Sequence, residues 1–148
     1  MLEFLVTSND DLPLLKEWIA ADEWHSDPTL PCQNPAYWLT GVNGSYLASR
    51  LVDELGTVLF FKFDVETTDC LRLHTQFGPV SDVSERRVAK AIMEGLQRFS
   101  IHASADGFSS IVTESISPRL VAFLKKMGFT DAGENDYRLD IAAKEVAA

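Results

Sequence analysis

The stretch Ser117–Phe129, SPRLVAFLKKMGF, decides how this chain is read. Ser117 and Pro118 form a helix cap followed by a first-turn proline, whose missing N–H costs nothing where the backbone donors have no helical partner anyway. Leu120, Phe123, Leu124 and Met127 then recur at helical spacing, and Gly128 closes the helix in the left-handed conformation. Phe129 begins a strand. Ser109–Glu114, upstream, is a short run rich in β-formers, so the capped helix lies between two strands.

Working outward, Ser84–Ala105 reads as a long helix with Val88, Ala91, Ile92, Gly95, Leu96 and Phe99 as its apolar stripe. Leu71–Phe77 precedes it as a strand in which Leu71, Leu73, Thr75 and Phe77 share one face and Arg72, His74 and Gln76 the other. Reaching Ser109–Glu114 from this strand through a helix implies a parallel, right-handed crossover. Ser45–Val52 and Thr57–Val65 are two earlier strands, joined by turns at Asp53–Gly56 and Glu66–Asp69, which makes an antiparallel meander. Met1–Thr7 is a first strand, and Leu12, Leu15, Trp18 and Ile19 mark a first helix after the caps offered by Ser8–Asp11. Glu23–Tyr37, with three prolines, is a loop or a short helix between loops. Phe129–Asp131 and Asp136–Ile141 close the chain around a Gly133–Asn135 turn, and Ala142–Ala148 reads as a frayed tail. The order is β-α, loop, β-β-β-α-β-α-β-β: an α+β fold with helices on a mixed, mostly antiparallel sheet and one parallel crossover.

The chain has 148 residues, which fits a single domain over 1–148, and 46% of them are hydrophobic, enough for a real core. Its net charge of −9 argues against nucleic acid and anionic membrane surfaces as partners and is compatible with cationic substrates such as lysine side chains or polyamines. Solubility is the simpler account of that acidity. Cys32 and Cys70 read as free thiols, and His25, His74 and His102 are too scattered for a zinc site. No run approaches the roughly 18 apolar residues of a membrane span, and MLEFLVTSND lacks a basic start and long apolar run. A cytoplasmic location is expected, in a cell or a phage-infected host.

This order of elements resembles the GNAT acyltransferase fold over nearly the whole chain. Two stretches carry the likeness: the closing helix ending in Gly128-Phe129, and Leu71–Leu96, LRLHTQFGPVSDVSERRVAKAIMEGL. The strand LHTQF followed by SERRVAKA is most similar to the GNAT-like proteins of phage genomes. The resemblance implies acetyl-CoA as cosubstrate. The strand backbone at Thr75, Gln76 and Phe77 would pair with the pantetheine arm. The helix start at Ser84, Arg86, Arg87, Val88 and Ala89 would hold the pyrophosphate, as helix N-termini favour anions. Ser117 stands where an asparagine often opens the last motif.

The departures are equally specific. The family's phosphate loop, Gln/Arg-x-x-Gly-x-Gly/Ala, aligns with Ser84–Ala89: Ala89 matches, but Arg87 replaces a glycine and Glu85 brings negative charge to the first turn. Arg86 and Arg87 can compensate through their guanidinium groups. The loop Gly78–Val83 is longer than usual. Leu124 occupies the position of the tyrosine that protonates the departing thiolate, and cannot donate a proton; Tyr137 substitutes only if the last strands fold it back. If the site works, a substrate amine attacks the acetyl carbonyl, and a base must take the ammonium proton. His74 is the candidate by residue type, with Glu54 and Glu114 at strand ends as alternatives.

Each candidate has a plainer reading. His74 can be a solvated strand histidine, and Arg86 and Arg87 part of a charged helix face. Trp24, His25, Tyr37 and Trp38 can pack under a long loop instead of forming a substrate wall. Ser117 can be only a cap. Two function classes follow: an acetyl-CoA-dependent N-acyltransferase acting on a small-molecule or protein amine, or a GNAT-fold binding or structural module without catalysis, for example in a phage virion or its assembly. Edge strands can pair two copies into a homodimer or larger assembly.

Overall fold

The computed structural model describes residues 2–22, 27–39 and 45–141. Trp24, His25 and the tail from Ala142 lie outside the described residues. Seven strands form one sheet in the order β1-β2-β3-β4-β5-β7-β6, with β1 Glu3–Val6, β2 Ser45–Asp53, β3 Gly56–Thr67, β4 Cys70–Phe77, β5 Ser110–Glu114, β6 Thr130–Gly133 and β7 Asp136–Asp140. Among the described residues three α-helices flank it: α1 Leu12–Ala21, α2 Glu85–Ala105 and α3 Pro118–Lys126. Every strand pair is antiparallel except β4–β5, the crossover that α2 makes. The expected α+β architecture is the observed one.

Local sequence accounts for the ends of α3 in detail. The Ser117 side chain accepts the Leu120 N–H, and Pro118 opens the first turn. At the other end Gly128 takes φ +105°, the Phe129 N–H donates to the Leu124 carbonyl, and the Gly128 N–H to that of Lys125. This is the double bond of a glycine-terminated helix, which satisfies two otherwise orphaned carbonyls. The segment expected as a loop holds two short 3₁₀ turns, Pro31–Gln33 and Pro35–Trp38, each started by proline.

The alternation of β4 sorts the molecule into two layers. Leu71, Leu73, Thr75 and Phe77 face α2 and α3. Their cross-strand partners Phe61 and Phe63 meet Phe99 of α2, whose ring stacks on Phe63 at 3.8 Å. Arg72, His74 and Gln76 face the side covered by α1 and the 3₁₀ turns, where Trp18 packs edge-on against Phe60. That face is therefore half-buried, not the solvated face of a two-layer sandwich.

Candidate active site

β4 and β5 pair only from Cys70–Ser110 to Leu73–Thr113. Beyond that point β4 continues to Phe77, paired among the described residues with β3 alone. The divergence has a local cause. β5 stays in register with β7 through Glu114–Asp136, and the Ser115 N–H then donates to the Asn135 carbonyl, so the strand follows the closing hairpin. Pro118 next requires extended backbone at Ser117, which turns the chain into α3. The Thr113 hydroxyl donates to the Leu73 carbonyl at 3.0 Å and marks the crotch of the fork. Past it, one edge of β4 has no strand partner among the described residues and can take an extended chain as a further strand would.

On the helical side of the fork lies an apolar cavity of about 40 Å³ between the sheet, α2 and α3, lined by Leu73, Thr75, Phe77, Ile92, Thr113 and Leu124 among others. Leu124 is buried there and brings no donor. Tyr137 is the register partner of Thr113, so it shares this sheet face but sits one strand away on β7, with the Lys125 ammonium 6.0 Å from its ring.

On the opposite face, His74 is the first β4 residue beyond the crotch. Its Nε2 lies 3.1 Å from Asp64 Oδ2, and Tyr37 meets its ring edge-on at 5.7 Å. Its register partner is Lys62, whose ammonium is fully buried, 3.6 Å from Asp64 Oδ1 and 3.5 Å from the centre of the Tyr37 ring. Burial pushes the His74 imidazole below its ordinary value; Asp64 opposes this, while Lys62 and Arg72 add to it. Burial likewise pushes the Lys62 ammonium down, against the pull of Asp64. Tyr37, half-buried and facing Asp64, has its phenol pushed up by that burial and by the Asp64 charge. Glu114 follows Thr113 on the other arm of the fork, on the His74 face.

Tyr37 also lines a surface groove of about 330 Å³ with Pro28, Leu30, Pro31, Gln33 and Asn34. Of the expected aromatic wall, Tyr37 thus borders both groove and His74. Trp38 is core: it is 1% exposed, and its indole N–H donates to the Cys32 carbonyl.

At the mouth of the fork, Ser84 caps α2 by accepting the Arg87 N–H. The Arg87 guanidinium does not face outward. It clamps Asp53 of β2 with contacts of 2.8 and 2.7 Å, and those hydrogen bonds hold the Asp53 carboxyl below the usual range. Glu85 is matched by Arg119, whose guanidinium donates to it at 2.8 Å from the first turn of α3. Arg86 is exposed and has no partner among the described residues. Val88 packs against the core, and Ala89 is partly buried on the same turn. Ser117 is the cap of α3.

The structure thus gathers Thr75, Phe77, His74 and Glu114 around the fork, and Arg86 at α2's start. Two expected residues, Arg87 and Glu54, are placed otherwise, and Gln76 keeps only the backbone role expected of it. The Gln76 side chain is buried against α1, its amide donating to the Phe77 carbonyl and to Asp22, so only its backbone belongs to the β4 edge. Arg87 is committed to Asp53, the last residue of β2, which lies within ion-pair distance of α2's first turn. Glu54 stands in the exposed β2–β3 turn, beyond Gly56; Lys62 lies six positions after Gly56 along β3, a span of about 20 Å, which removes Glu54 from the His74 site. Sequence reading missed Lys62, Asp64 and Arg119. The signal for the first was a lysine inside the apolar run LFFKFDV, whose lack of polar alternation points to a strand covered on both faces.

No family model matches the chain, and no curated protein matches it in sequence. Solved structures do match in fold. An aminoglycoside acetyltransferase AAC(6')-Ib in complex with coenzyme A aligns over 100% of both chains at 13% identity with a TM-score of 0.75. A spermidine N-acetyltransferase chimera of Vibrio cholerae SpeG and hSSAT aligns over 99% of both at 10% identity and a TM-score of 0.74. An acetyltransferase of the GNAT family from Staphylococcus aureus Mu50 aligns over 95% of this chain and 99% of its own at 12% identity and a TM-score of 0.71. The chain has the GNAT fold, in a form far diverged in sequence.

Proposed function

We propose that this GNAT-fold protein is an acetyl-CoA-dependent N-acetyltransferase acting on a small amine or an amine-bearing side chain. The observation that carries the reading is the fork: β4 runs four residues past its last pair with β5, and the first of them is a half-buried histidine. The free β4 edge at Thr75–Phe77 suits an extended amide-bearing arm, and the apolar cavity beside it suits the arm's methylene groups. Arg86 and the unpaired N–H groups of α2's first turn suit a diphosphate. When bound, the cosubstrate supplies an activated acyl group.

The chain's own residues do the rest. Because burial and its cationic neighbours disfavour the imidazolium, His74 is neutral at pH 7 and ready to take a proton. With Nε2–H donated to Asp64, Nδ1 is the accepting atom. The unpaired N–H groups of β4 beyond Leu73 are donors for negative charge developing on a carbonyl oxygen laid along that edge. Glu114, on the other arm, can hold an approaching ammonium. The groove bordered by Tyr37 is of a size to admit a small molecule or a side chain, as the acetyltransferases of aminoglycosides and spermidine named above would require.

Thermal melts with acetyl-CoA, followed by thiol release across an amine panel, test the proposal. Ligand at about a hundredfold its dissociation constant stabilises by about 2.7 kcal/mol; no shift at millimolar cosubstrate sinks it. A second reading, a GNAT-fold binding module without catalysis, is favoured by Leu124 in the cavity and by Arg87 being held on Asp53. A melting shift without thiol release for any amine would select it.

A further inference from the structure

Lys62 is the least explained side chain near the fork. It is fully buried on a sheet face, and its ammonium makes no hydrogen bond. A lysine in that position ordinarily loses its charge or finds a counterion. Here the counterion is Asp64, 3.6 Å away, with the Tyr37 ring face covering the ammonium at 3.5 Å. Asp64 spends its other oxygen on His74 Nε2, and the Tyr37 hydroxyl reaches that same oxygen at 3.5 Å. Three side chains, from β3, β4 and a 3₁₀ turn, therefore share the Asp64 carboxylate.

We propose that Lys62 and Asp64 are the positioning residues of His74: Lys62 fixes the Asp64 carboxylate, and Asp64 fixes the imidazole tautomer that leaves Nδ1 free at the fork. This deepens the acetyl-transfer reading above and rests on it only for the consequence in catalysis. The geometry excludes other holders. Among the described residues no other group bonds the His74 ring. Arg72, on the same face of β4, is occupied by Glu66 and Asp136, so it acts on the ring only through its charge. Among the described residues, Glu114 on β5, Tyr37 on the 3₁₀ segment, Asp22 at the end of α1 on the neighbouring Gln76 amide, and Lys62 and Asp64 on β3 are the other titratable and charged groups on this face.

The pair pulls His74 in opposite directions, which gives the test its sign. Lys62→Met removes a repelling cation and should move the His74 titration to higher pH. Asp64→Asn removes an attracting anion and should move it to lower pH, and Lys62→Arg should restore the wild-type midpoint. The readout is the imidazole titration followed by NMR on the protein without ligand, with ring nitrogen shifts reporting the tautomer and His74→Gln assigning the signal. Opposite shifts and a wild-type Nε2–H tautomer support the proposal. An Nδ1–H tautomer in the wild type, or an unmoved midpoint in folded Asp64→Asn, overturns it. Should Lys62→Met fail to fold, Asp64→Asn decides alone. The acid limb of the pH–rate profile is then compared with the NMR midpoints; midpoints that move while the limb stays put leave the positioning pair intact and remove His74 as the base.

Discussion

Arg86 and Arg87 are neighbours with opposite assignments, and separate alanine substitutions test them. Arg87 makes two contacts of 2.8 and 2.7 Å to Asp53 at a site where both side chains are about four-fifths covered. A bidentate pair that well shielded stands at the upper end for ion pairs near a surface, about 1 kcal/mol. For a chain of this length that is a melting decrease of about 3–4 °C in Arg87→Ala. Hydrogen bonds from Arg87 hold the Asp53 carboxyl below its unfolded value of about 3.9. The stabilisation is therefore complete above about pH 4 and fades as pH falls through the folded value. The gap between wild type and Arg87→Ala should be constant from pH 5 to 8 and narrow in stronger acid. Arg86 is exposed and has no partner among the described residues, so Arg86→Ala should melt within about 0.5 kcal/mol of wild type. It should nonetheless weaken coenzyme A binding by about fivefold, the loss of roughly 1 kcal/mol from one solvent-exposed phosphate contact. Denaturant titrations at several pH values and calorimetric titration with coenzyme A measure both halves. An Arg87→Ala protein as stable as wild type at pH 7, or an Arg86→Ala protein with undiminished affinity, refutes the division of labour.

His74→Gln should lower turnover by about 10²–10⁴-fold at neutral pH with coenzyme A affinity intact, and wild-type activity should be flat at high pH and fall as pH drops through the depressed His74 value; kcat retained within twofold would dismiss it as the base. Thr113→Val removes the hydroxyl bonded to the Leu73 carbonyl at the crotch and should cost about 1 kcal/mol by urea unfolding; an unchanged midpoint would mean the fork is held by the strands alone. At the end of β4, a Cβ on Gly78 would stand 2.5 Å from the buried Trp18 ring, so Gly78→Ala should destabilise by about 1–3 kcal/mol. Full stability in that variant would show that α1 can shift away from the sheet.

Much of the fold was legible because its signals are short-range. Ser117, Pro118 and Gly128 bracket α3 through hydrogen bonds spanning three to five residues, and the alternation of Leu71–Phe77 follows from backbone geometry alone. Sequence order also placed His74 and the backbone of Thr75–Phe77 at the divergent strand, because the crossover fixes which strands are parallel neighbours. What each polar side chain does there was decided by residues far along the chain. Asp53 meets Arg87 from 34 positions away, Asp22 takes the Gln76 amide from 54, and Arg119 reaches Glu85 across 34. No local pattern encodes such competition: a guanidinium or amide takes whichever partner the packed elements bring within reach. The burial of Lys62 beside Asp64 and His74 arises the same way, from three adjacent pieces of backbone whose register and covering segment exist only once the sheet has closed.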